Sequence, residues 1–389
     1  MSLRDSAIVA YAETKVMEKS DRDIWVLDAE ILDSLLEKTG LDKKEIDGLV
    51  LAGLTNTGAG NEFWAQTTAD QLGLEVDFCE QVHIGGCSVP GAVARAAMAI
   101  DAGLCNVAFL LFSSTGVREP NSRERSYRKE WIEPYGLMGP PGAFGLLSRR
   151  YESQFGLDYE MLAKLAVVQR DHAVLNDDAC EKLRKPITID DYMNSRMIAD
   201  PIRLLDCVMP ADGASGVLMM SKAMAKAKGF KNCVIPIGYG ERTNYGGSMN
   251  LVDPTLSGHK PAAEKAFKQA GMTVKDVASF HPYDDFIIAI MLQYENFGFC
   301  KQGQGCDFIR DHDLSYKGDL PLNTGGGQIS AGQAACSSEN MVEAVRQLMG
   351  EGGKRQVKNT KNALVTGIGW IPYGRNWGTS AALILVPNE

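Results

Sequence analysis

The chain has 389 residues, 45% hydrophobic and 23% charged, so it is long enough to bury a large core in two or more domain-sized units. Its formal net charge of −9 and its pI near 5.3 argue against nucleic acid or an anionic membrane surface as a partner. No apolar run approaches the ~18 residues of a membrane-spanning helix, and the first residues carry no apolar signal segment.

Cysteine usage points to a reducing compartment. The chain has nine cysteines and no Cys-x-x-Cys pair, so we expect neither a zinc ribbon nor a redox pair in it. An odd number of cysteines without a signal segment is typical of reduced thiols in the cytoplasm. We therefore predict a cytoplasmic protein that holds no metal.

The sequence repeats itself in two places. Residues 28–53 and 261–285 each predict an amphipathic helix, a stop at a Gly-Leu or Gly-Met pair, a short turn with Lys and Asp, and an apolar strand. Residues 87–114 and 336–369 each run from a Cys-Ser pair through a helix and a glycine stop into an apolar strand. Self-similarity of this kind predicts a fold built from two related halves.

Cys87 stands directly after two glycines and directly before a predicted helix. A helix start offers unpaired N–H groups and the positive end of the helix dipole, and both favour a thiolate or an anion beside it. A small buried cysteine that fills space is the alternative. Because both halves start a helix with Cys-Ser, we expect Cys87 and Cys336 to meet across a pseudo-twofold axis, which favours a functional site.

We predict an α/β protein of two duplicated halves with an insertion. The first half comprises residues 1–117 and 206–231, and a strand and helix at 213–227 close it. Residues 118–205 are richer in charge, Pro and Tyr and are predicted to form an inserted loop domain. The second half comprises residues 232–389. Each half is expected to be a sheet covered by helices.

Four segments, in this order along the chain, carry a resemblance to a known family. They are GGCSVPGA around Cys87, residues 139–156, YDDFIIAIMLQYENFGFCKQGQG (283–305) and LNTGGGQISAGQAACSS (322–338). Together with the duplication and the insertion, they resemble the thiolase superfamily, above all the sterol-carrier-protein-type thiolases and their bacterial relatives. The resemblance implies a five-layered αβαβα core with an inserted loop domain.

The resemblance also implies roles for individual residues. Cys87 would be the nucleophile that takes up an acyl group as a thioester, with a thiol pKa lowered by the helix start and a backbone N–H that faces the oxyanion. The chain departs from the family at three places. Gln333 stands at the Gly-His-Pro histidine, Tyr283 replaces the histidine or asparagine near the substrate carbonyl, and LVTGIGW (364–370) lacks the second cysteine. Glutamine cannot act as a base near pH 7, although it forms hydrogen bonds.

Other side chains could replace the missing acid–base groups. Tyr283 can donate a hydrogen bond or relay a proton, unless it is an ordinary half-buried tyrosine. Of the adjacent Asp284 and Asp285, only one would face the site from an extended strand end, and a helix-capping carboxylate is the alternative. Cys336, three residues after Gln333, could shuttle a proton or simply pack at the helix start.

Two histidines lie near these candidates in the sequence. His83 precedes Cys87 by four residues and is taken as structural, because a lone histidine beside glycines is more often so. His281 precedes Tyr283 by two residues, on the same face of a strand, and is a reserve candidate.

The resemblance implies coenzyme A as substrate and acyl acceptor. The residues assigned to coenzyme A are Gly327, Gly332, Gly367, Gly369, Arg123 and Arg125. The two arginines belong to a basic run at 118–129, where loop domains of the family meet the phosphates. Glutamates are interleaved in this run, so a solvated charged face is the alternative.

Three functions are compatible with these observations. The first is a thiolase-type acyltransferase that cleaves or forms a carbon–carbon bond in a 3-oxoacyl-CoA through a Cys87 thioester, on a branched or aromatic substrate such as benzoylsuccinyl-CoA. The second is a retro-aldolase acting on a β-hydroxyacyl-CoA side chain, since thiolase-like steroid-degrading proteins share the tyrosine at Tyr283 and lack the Gly-His-Pro histidine. Those proteins also lack the nucleophilic cysteine, so the presence of Cys87 puts the thiolase first. The third is a non-catalytic scaffold subunit.

The resemblance further predicts partners. Bacterial relatives commonly work with a small zinc-ribbon/OB-fold protein, and we expect such a subunit here. We also expect a homodimer core that pairs through the apolar strand at 106–112, because an edge strand offers unpaired backbone groups to a twofold partner.

Overall fold

The computed structural model describes residues 3–52, 64–115, 133–137, 139–246, 253–369 and 377–388. The strands are β1 (Ser6–Glu13), β2 (Gly48–Ala52), β3 (Phe78–Val82), β4 (Val107–Ser114), β5 (Met197–Ala199), β6 (Ile202–Arg203), β7 (Gly213–Ser221), β8 (Val234–Thr243), β9 (Phe280–His281), β10 (Ala363–Ile368) and β11 (Thr379–Pro387). The helices are α1 (Ile24–Thr39), α2 (Trp64–Leu72), α3 (Ser88–Asp101), α4 (Gly139–Phe155), α5 (Tyr159–Val174), α6 (Ile189–Met193), α7 (Lys222–Ala227), α8 (His259–Ala270), α9 (Ile287–Phe297), α10 (Gly305–Asp311), α11 (Gly327–Ala331) and α12 (Ser338–Leu348). Within these ranges, no helix is long and apolar enough to cross a membrane.

In the described part of the chain, nine strands form one sheet in the order β3-β2-β4-β7-β1-β8-β11-β10-β9. The two halves of this sheet meet at a narrow seam, where β1 and β8 are joined by the pair Ile8–Val234. Outward from the seam, each half has two antiparallel pairings followed by a parallel one. Leu322 pairs with Phe280 in parallel, at the position that β3 occupies in the first half. The predicted duplication of an α/β half is therefore confirmed.

The repeated helices also end in the same way. Helix α1 ends at Gly40, with φ of 68°, and α8 ends at Gly271, with φ of 69°. Glycine is the residue that adopts this left-handed conformation without steric cost. Each stop is followed by a 3₁₀ turn with a capping box, at Asp42–Glu45 and at Thr273–Asp276. The Gly-Leu and Gly-Met pairs of the sequence thus mark two copies of one helix–turn–strand unit.

Five layers result from this duplication. One core cluster joins the Ala-rich face of α3 and the apolar face of α12 to strands of both half-sheets, so these two helices form the central layer. A second cluster contains the buried faces of α1, α8 and α9, which cover the sheet from outside. Since most buried residues of α3 are Ala or Val, the central helix lies close to the strands on either side of it.

The insertion between β4 and β7 carries α4, α5, α6 and the small hairpin of β5 and β6. The helix predicted over 139–156 is α4, Gly139–Phe155. The predicted boundary between residues 117 and 118 lies outside the described residues, and the domain boundaries stay predictions.

The predicted dimer edge is wrong. Strand β4, which contains most of 106–112, is an interior strand that pairs with β2 on one side and β7 on the other. Every residue of β4 is buried, and a continuous apolar run of this kind is typical of a strand covered on both faces, not of an edge. The outer strand of the first half is β3, in which Cys79 and Gln81 are exposed.

Candidate functional site

Cys87 lies at the point where the two halves meet, directly before the first residue of α3. Its side chain is 0% exposed. A Cβ added at Gly367, in β10, would lie 2.6 Å from the Cα of Cys87 and 3.0 Å from its Sγ. A Cβ added at Gly86 would overlap the ring of Tyr283. Because both glycines lack side chains, the Cys87 loop, the end of β10 and Tyr283 can pack directly against one another.

The environment of Cys87 does not favour a thiolate. Burial, the carboxylate of Glu241 and the neighbouring Cys336 raise the pKa of the Cys87 thiol well above its ordinary value, while the Gly369 backbone and Arg95 lower it less. The helix start therefore does not lower this pKa as expected from the sequence. A nucleophilic cysteine in this state needs an adjacent base, and the family's histidine position holds Gln333.

Tyr283 is fixed by a closed set of backbone hydrogen bonds. Its N–H donates to Thr366 Oγ1 at 3.0 Å, and its carbonyl oxygen accepts from Gln293 Nε2 at 2.8 Å. The hydroxyl of Thr366 in turn donates to Gln293. Burial raises the pKa of the Tyr283 phenol well above its ordinary value, and Asp285 adds to this. The phenol is thus a neutral hydrogen-bond donor at physiological pH.

Gln333 orients this phenol. Its Nε2 donates to the Tyr283 hydroxyl at 3.4 Å and to Gln328 Oε1 at 3.0 Å. Its backbone is held between Met209 and Ala211, with both bonds at 2.9 Å. Because the amide donates to the phenol oxygen, the phenol proton is left for another acceptor. The structure therefore brings Gln333 to Tyr283.

Cys336 lies in a strained turn beside these residues. Ala335, Cys336 and Ser337 have φ of 47°, 58° and 68°, a left-handed run without glycine. Each such residue costs about 1–3 kcal/mol, and strain of this kind clusters at functional sites. The Ala335 N–H donates to Ser114 Oγ at 2.9 Å, which anchors the turn. The turn brings Cys336 close enough to Cys87 and Tyr283 to raise the pKa of both.

The two adjacent aspartates differ in their surroundings. Asp284 accepts from the N–H groups of Gln328 and Ile329 at 3.1 and 3.3 Å and from the Asn340 amide at 2.9 Å, so it has a structural role at the start of α11. Burial raises its pKa to about 7. Burial and Asp284 raise the pKa of Asp285 to about 8, and its Oδ1 is buried without a hydrogen-bond partner among the described residues. Of the pair, only Asp285 has spare capacity for chemistry.

The four glycines assigned to coenzyme A all touch protein. A Cβ at Gly327 would overlap the Asp284 carboxylate, and one at Gly332 would lie 2.9 Å from Val16. Gly367 touches Cys87, and a Cβ at Gly369 would lie 2.8 Å from the Ile84 carbonyl oxygen. These contacts explain why the positions are glycine, and a coenzyme A contact at them stays a prediction. Arg123, Arg125 and the rest of the basic run lie outside the described residues.

Neither histidine near the candidates joins them. His83 is exposed. His281 is 0% exposed, and burial lowers its pKa to about 4, so it is neutral. Besides burial, the titratable groups that shift its pKa are Glu343 and His172. A histidine that the sequence analysis did not consider, His259, bonds the Gly367 carbonyl oxygen through Nε2 at 3.0 Å and thereby supports the Cys87 contact.

Glu339 is a buried carboxyl near Tyr283 that the sequence does not mark as a site residue. Both of its carboxyl oxygens are buried without a hydrogen-bond partner of normal geometry among the described residues. It lies close enough to Tyr283 to raise the pKa of the phenol. In the sequence, an acidic residue in the first turn of a helix reads as a partner of the helix dipole, and only the packing reveals its isolation.

Residues 240–377 match the family model described as thiolase C-terminal domain-like. The chain is 32% identical over 383 residues to a 17-hydroxy-3-oxo-4-pregnene-20-carboxyl-CoA lyase of Mycobacterium tuberculosis. The alignment covers 94% of this chain and 97% of that protein. It is 27% identical to an acetyl-CoA acetyltransferase of Methanothermobacter thermautotrophicus, over 94% of this chain and 97% of that protein.

Among solved structures, the Ltp2-ChsH2(DUF35) aldolase superposes with a TM-score of 0.86 at 27% identity, covering 98% of this chain and 97% of that one. The duplicated fold agrees with these similarities. The chain belongs to the thiolase superfamily, among its aldolase-like members.

Proposed function

We propose that this protein is a retro-aldolase that cleaves a β-hydroxyacyl-CoA thioester into a shorter acyl-CoA and a carbonyl compound. The observation that carries the proposal is the pairing of a buried, protonated thiol at Cys87 with a neutral phenol at Tyr283. A thiolase needs an activated cysteine, whereas a retro-aldol reaction needs a proton acceptor for the β-hydroxyl and a donor for the thioester oxygen. The lyase and the aldolase similar to this chain support the same choice.

The reaction divides between side chains and backbone. The β-hydroxyl proton moves to the Tyr283 oxygen while the phenol passes its own proton to one of the carboxylates whose charges act on it, Asp285 or Glu339. At the same time the C–O bond becomes a carbonyl and the Cα–Cβ bond breaks. The electron pair moves onto the thioester as an enolate, which is then protonated at Cα. The backbone N–H of Cys87 and the positive end of α3 stabilise the enolate oxygen. In this scheme Cys87 acts through its backbone, so its thiol is dispensable.

The substrate class follows from the same chemistry. We propose a CoA thioester with a hydroxyl on the β-carbon, carried as a side chain on a larger ring system, as the name of the lyase relative indicates for that protein. The relatives named above do not support benzoylsuccinyl-CoA, so we do not propose an aromatic substrate of that kind.

A thiolase reaction through a Cys87 thioester is the second candidate. It is favoured by the position of Cys87 directly before α3 and by the similarity to an acetyl-CoA acetyltransferase. The two candidates differ in one covalent intermediate, because only the thiolase forms an acyl-enzyme.

Intact-protein mass spectrometry tests this difference. The protein is mixed with a β-hydroxyacyl-CoA or with the matching 3-oxoacyl-CoA, and both the protein mass and the released CoA thioester are measured. We expect cleavage of the β-hydroxyacyl-CoA with no mass added to the protein. An acyl group on Cys87, with cleavage of the 3-oxoacyl-CoA alone, would refute the aldolase and establish the thiolase.

We also propose that the active assembly contains a homodimer core and a small partner subunit of the zinc-ribbon/OB-fold kind. The similarity to the Ltp2-ChsH2(DUF35) aldolase supports the partner. Exposed large apolar side chains support it too, since Leu146, Met197, Ile198 and Leu204 lie on α4 and the adjacent β5–β6 hairpin region. Size-exclusion chromatography with light scattering, with and without a co-expressed partner, measures both associations.

A further inference from the structure

We propose that Thr366 is a positioning residue that holds the Tyr283 phenol at a fixed distance from the backbone N–H of Cys87. The inference rests on the retro-aldol function proposed above, in which these two groups act on the β-hydroxyl and on the thioester oxygen of one substrate. Thr366 acts through the backbone of Tyr283 and not on the substrate. The segment 364–370 around it lacks the second cysteine of the family, so this segment contributes geometry and no acid–base group.

The backbone of Tyr283 lies just beyond the end of a strand. Strand β9 has only two residues, and both pair in parallel with β10. Pro282 follows and has no backbone N–H to continue the ladder. The N–H of Tyr283 donates instead to a side chain of β10, at Thr366 Oγ1, over 3.0 Å. A threonine hydroxyl thus takes the place of a strand carbonyl as the acceptor for Tyr283.

The direction of the Thr366 hydroxyl is fixed by its second partner. Gln293 Nε2 donates to two carbonyl oxygens, that of Tyr283 at 2.8 Å and that of Ala289 at 3.0 Å. Gln293 Oε1 therefore faces Thr366 and accepts its one hydroxyl proton. The lone pairs of the hydroxyl oxygen are left for the N–H of Tyr283. Gln293 is 0% and Thr366 is 3% exposed, and a buried network in which every group is paired is rigid.

The next residue of β10 contacts Cys87. Side chains alternate across a strand, so Thr366 faces α9 on the outer side of the sheet and Gly367 faces the start of α3 in the central layer. A Cβ at Gly367 would lie 2.6 Å from the Cα of Cys87, so the two backbones are in contact there. His259 Nε2 bonds the Gly367 carbonyl oxygen at 3.0 Å and fixes this position from the outer layer. One peptide unit of β10 therefore connects the support of Tyr283 to the loop of Cys87.

Removal of the Thr366 hydroxyl should displace Tyr283. Thr366→Val keeps the size of the side chain but leaves the Tyr283 N–H and Gln293 Oε1 without partners, and buried polar groups shift to find new ones. A displacement of about 1 Å can cost ~10²-fold in rate. Because the ring stays packed against Gly86, we expect a smaller decrease in kcat of ~10-fold, with KM changed by less than about 2-fold. Thr366→Ser keeps the hydroxyl, and its kcat should stay within about 3-fold of the wild type.

Steady-state cleavage of a β-hydroxyacyl-CoA is the first test. It is measured for the wild type, Thr366→Val, Thr366→Ser, Tyr283→Phe and the double variant Thr366→Val/Tyr283→Phe. Since Thr366 acts through the phenol, Thr366→Val should lower kcat ~10-fold when Tyr283 is present and leave kcat unchanged in the Tyr283→Phe protein. Thr68→Val is the matched control and should match the wild type, because Thr68 is also a buried threonine whose hydroxyl donates one hydrogen bond, to the Trp64 carbonyl oxygen in α2 at 2.9 Å.

Hydrogen exchange of the Tyr283 amide is the second test, and it requires no substrate. The exchange is measured by mass spectrometry on peptides that contain residue 283. We expect faster exchange in Thr366→Val and the wild-type rate in Thr366→Ser and Thr68→Val. If Thr366→Val does not fold, Gln293→Met breaks the same network at the Tyr283 carbonyl oxygen and should show the same lower kcat and faster exchange.

Two results would overturn the proposal. One is a folded Thr366→Val protein whose kcat or Tyr283 amide exchange equals that of the wild type. The other is an equal loss of kcat with and without the phenol, which would reveal a general loss of structure. A failure of the proposed function looks different: the wild type then cleaves no β-hydroxyacyl-CoA, whereas exchange of the Tyr283 amide still depends on the Thr366 hydroxyl.

Discussion

The two helix starts that face each other in the site come from one repeated Cys-Ser pattern but are built differently. Before α3, Cys87 has an ordinary helical φ of −84° and is surrounded by glycines that leave its backbone accessible to close neighbours. Before α12, the chain passes through the left-handed residues 335–337, which bring Cys336 close enough to Cys87 and Tyr283 to raise the pKa of both. In the proposed reaction, the first start supplies backbone N–H groups for the enolate oxygen, and the second lies beside the Tyr283 phenol that takes part in proton transfer. Duplication thus gives two equivalent positions to which the proposal assigns different roles.

The largest effect is expected from Tyr283→Phe, which removes the phenol hydroxyl that takes part in the proposed proton transfer. We expect a decrease in kcat of ~10²-fold or more with little change in KM, the scale of a lost acid–base group. Tyr294→Phe is the matched control, because the buried Tyr294 hydroxyl has no hydrogen-bond partner among the described residues. Steady-state cleavage of a β-hydroxyacyl-CoA measures both.

A Tyr283→Phe protein whose kcat is close to that of the wild type would contradict the role assigned to the phenol. If Asp285→Asn or Cys336→Ser were inactive in the same assay, the proton would pass through that side chain instead. The spare oxygen of Asp285 makes it the first rival to test.

A smaller effect is expected from Gln333→Ala. The substitution removes one long hydrogen bond to the Tyr283 phenol, and a net hydrogen bond contributes about 1 kcal/mol, or roughly 5-fold in rate. Gln81→Ala, on the exposed face of β3, is the control. A loss as large as that of Tyr283→Phe would mean that Gln333 itself touches the reacting atoms.

A buried carboxyl outside the site should affect the pH dependence of stability without affecting activity, and Asp28 is such a group. Burial raises the pKa of Asp28 to about 7, so the folded state holds a proton that the unfolded state releases above about pH 4. Below about pH 4 the carboxyl is protonated in both the folded and the unfolded state, and its burial carries no ionisation penalty. As the pH rises from 4 to 7, the unfolded state releases the proton and the folded state loses stability. Asp28→Asn should therefore raise Tm at pH 8 and change it little at pH 4, whereas activity stays unchanged. Thermal unfolding at the two pH values measures this, and an equal shift at both would contradict it.

Local features of this fold were predictable from sequence. The glycine stops at Gly40 and Gly271, the helix start after Cys87 and the buried strand at β4 each depend on a few neighbouring residues. Non-local features were not. The edge of the sheet depends on strand order, so the apolar run of β4 was mistaken for an edge although it lies inside.

The site shows the same limit. The pattern around Cys87 located the thiol, but its raised pKa results from burial and from Glu241, which lies 154 positions away in the sequence. Gln333 and Tyr283 were predictable through the resemblance, since each occupies a position where the family has another residue. Glu339 is not marked in the sequence, because the burial of its carboxyl oxygens depends on what packs against the first turn of α12.

The most direct measurement is the activity of Cys87→Ala, in which the backbone N–H of the first helix start remains and the thiol is gone. The rate of release of the shorter acyl-CoA from a β-hydroxyacyl-CoA is compared with that of the wild type. We predict a rate within about 3-fold, a barrier change below about 1 kcal/mol, because the oxyanion donor is retained. A loss of ~10²-fold or more, together with a thioester on Cys87 of the wild-type protein, would contradict the division between the two helix starts.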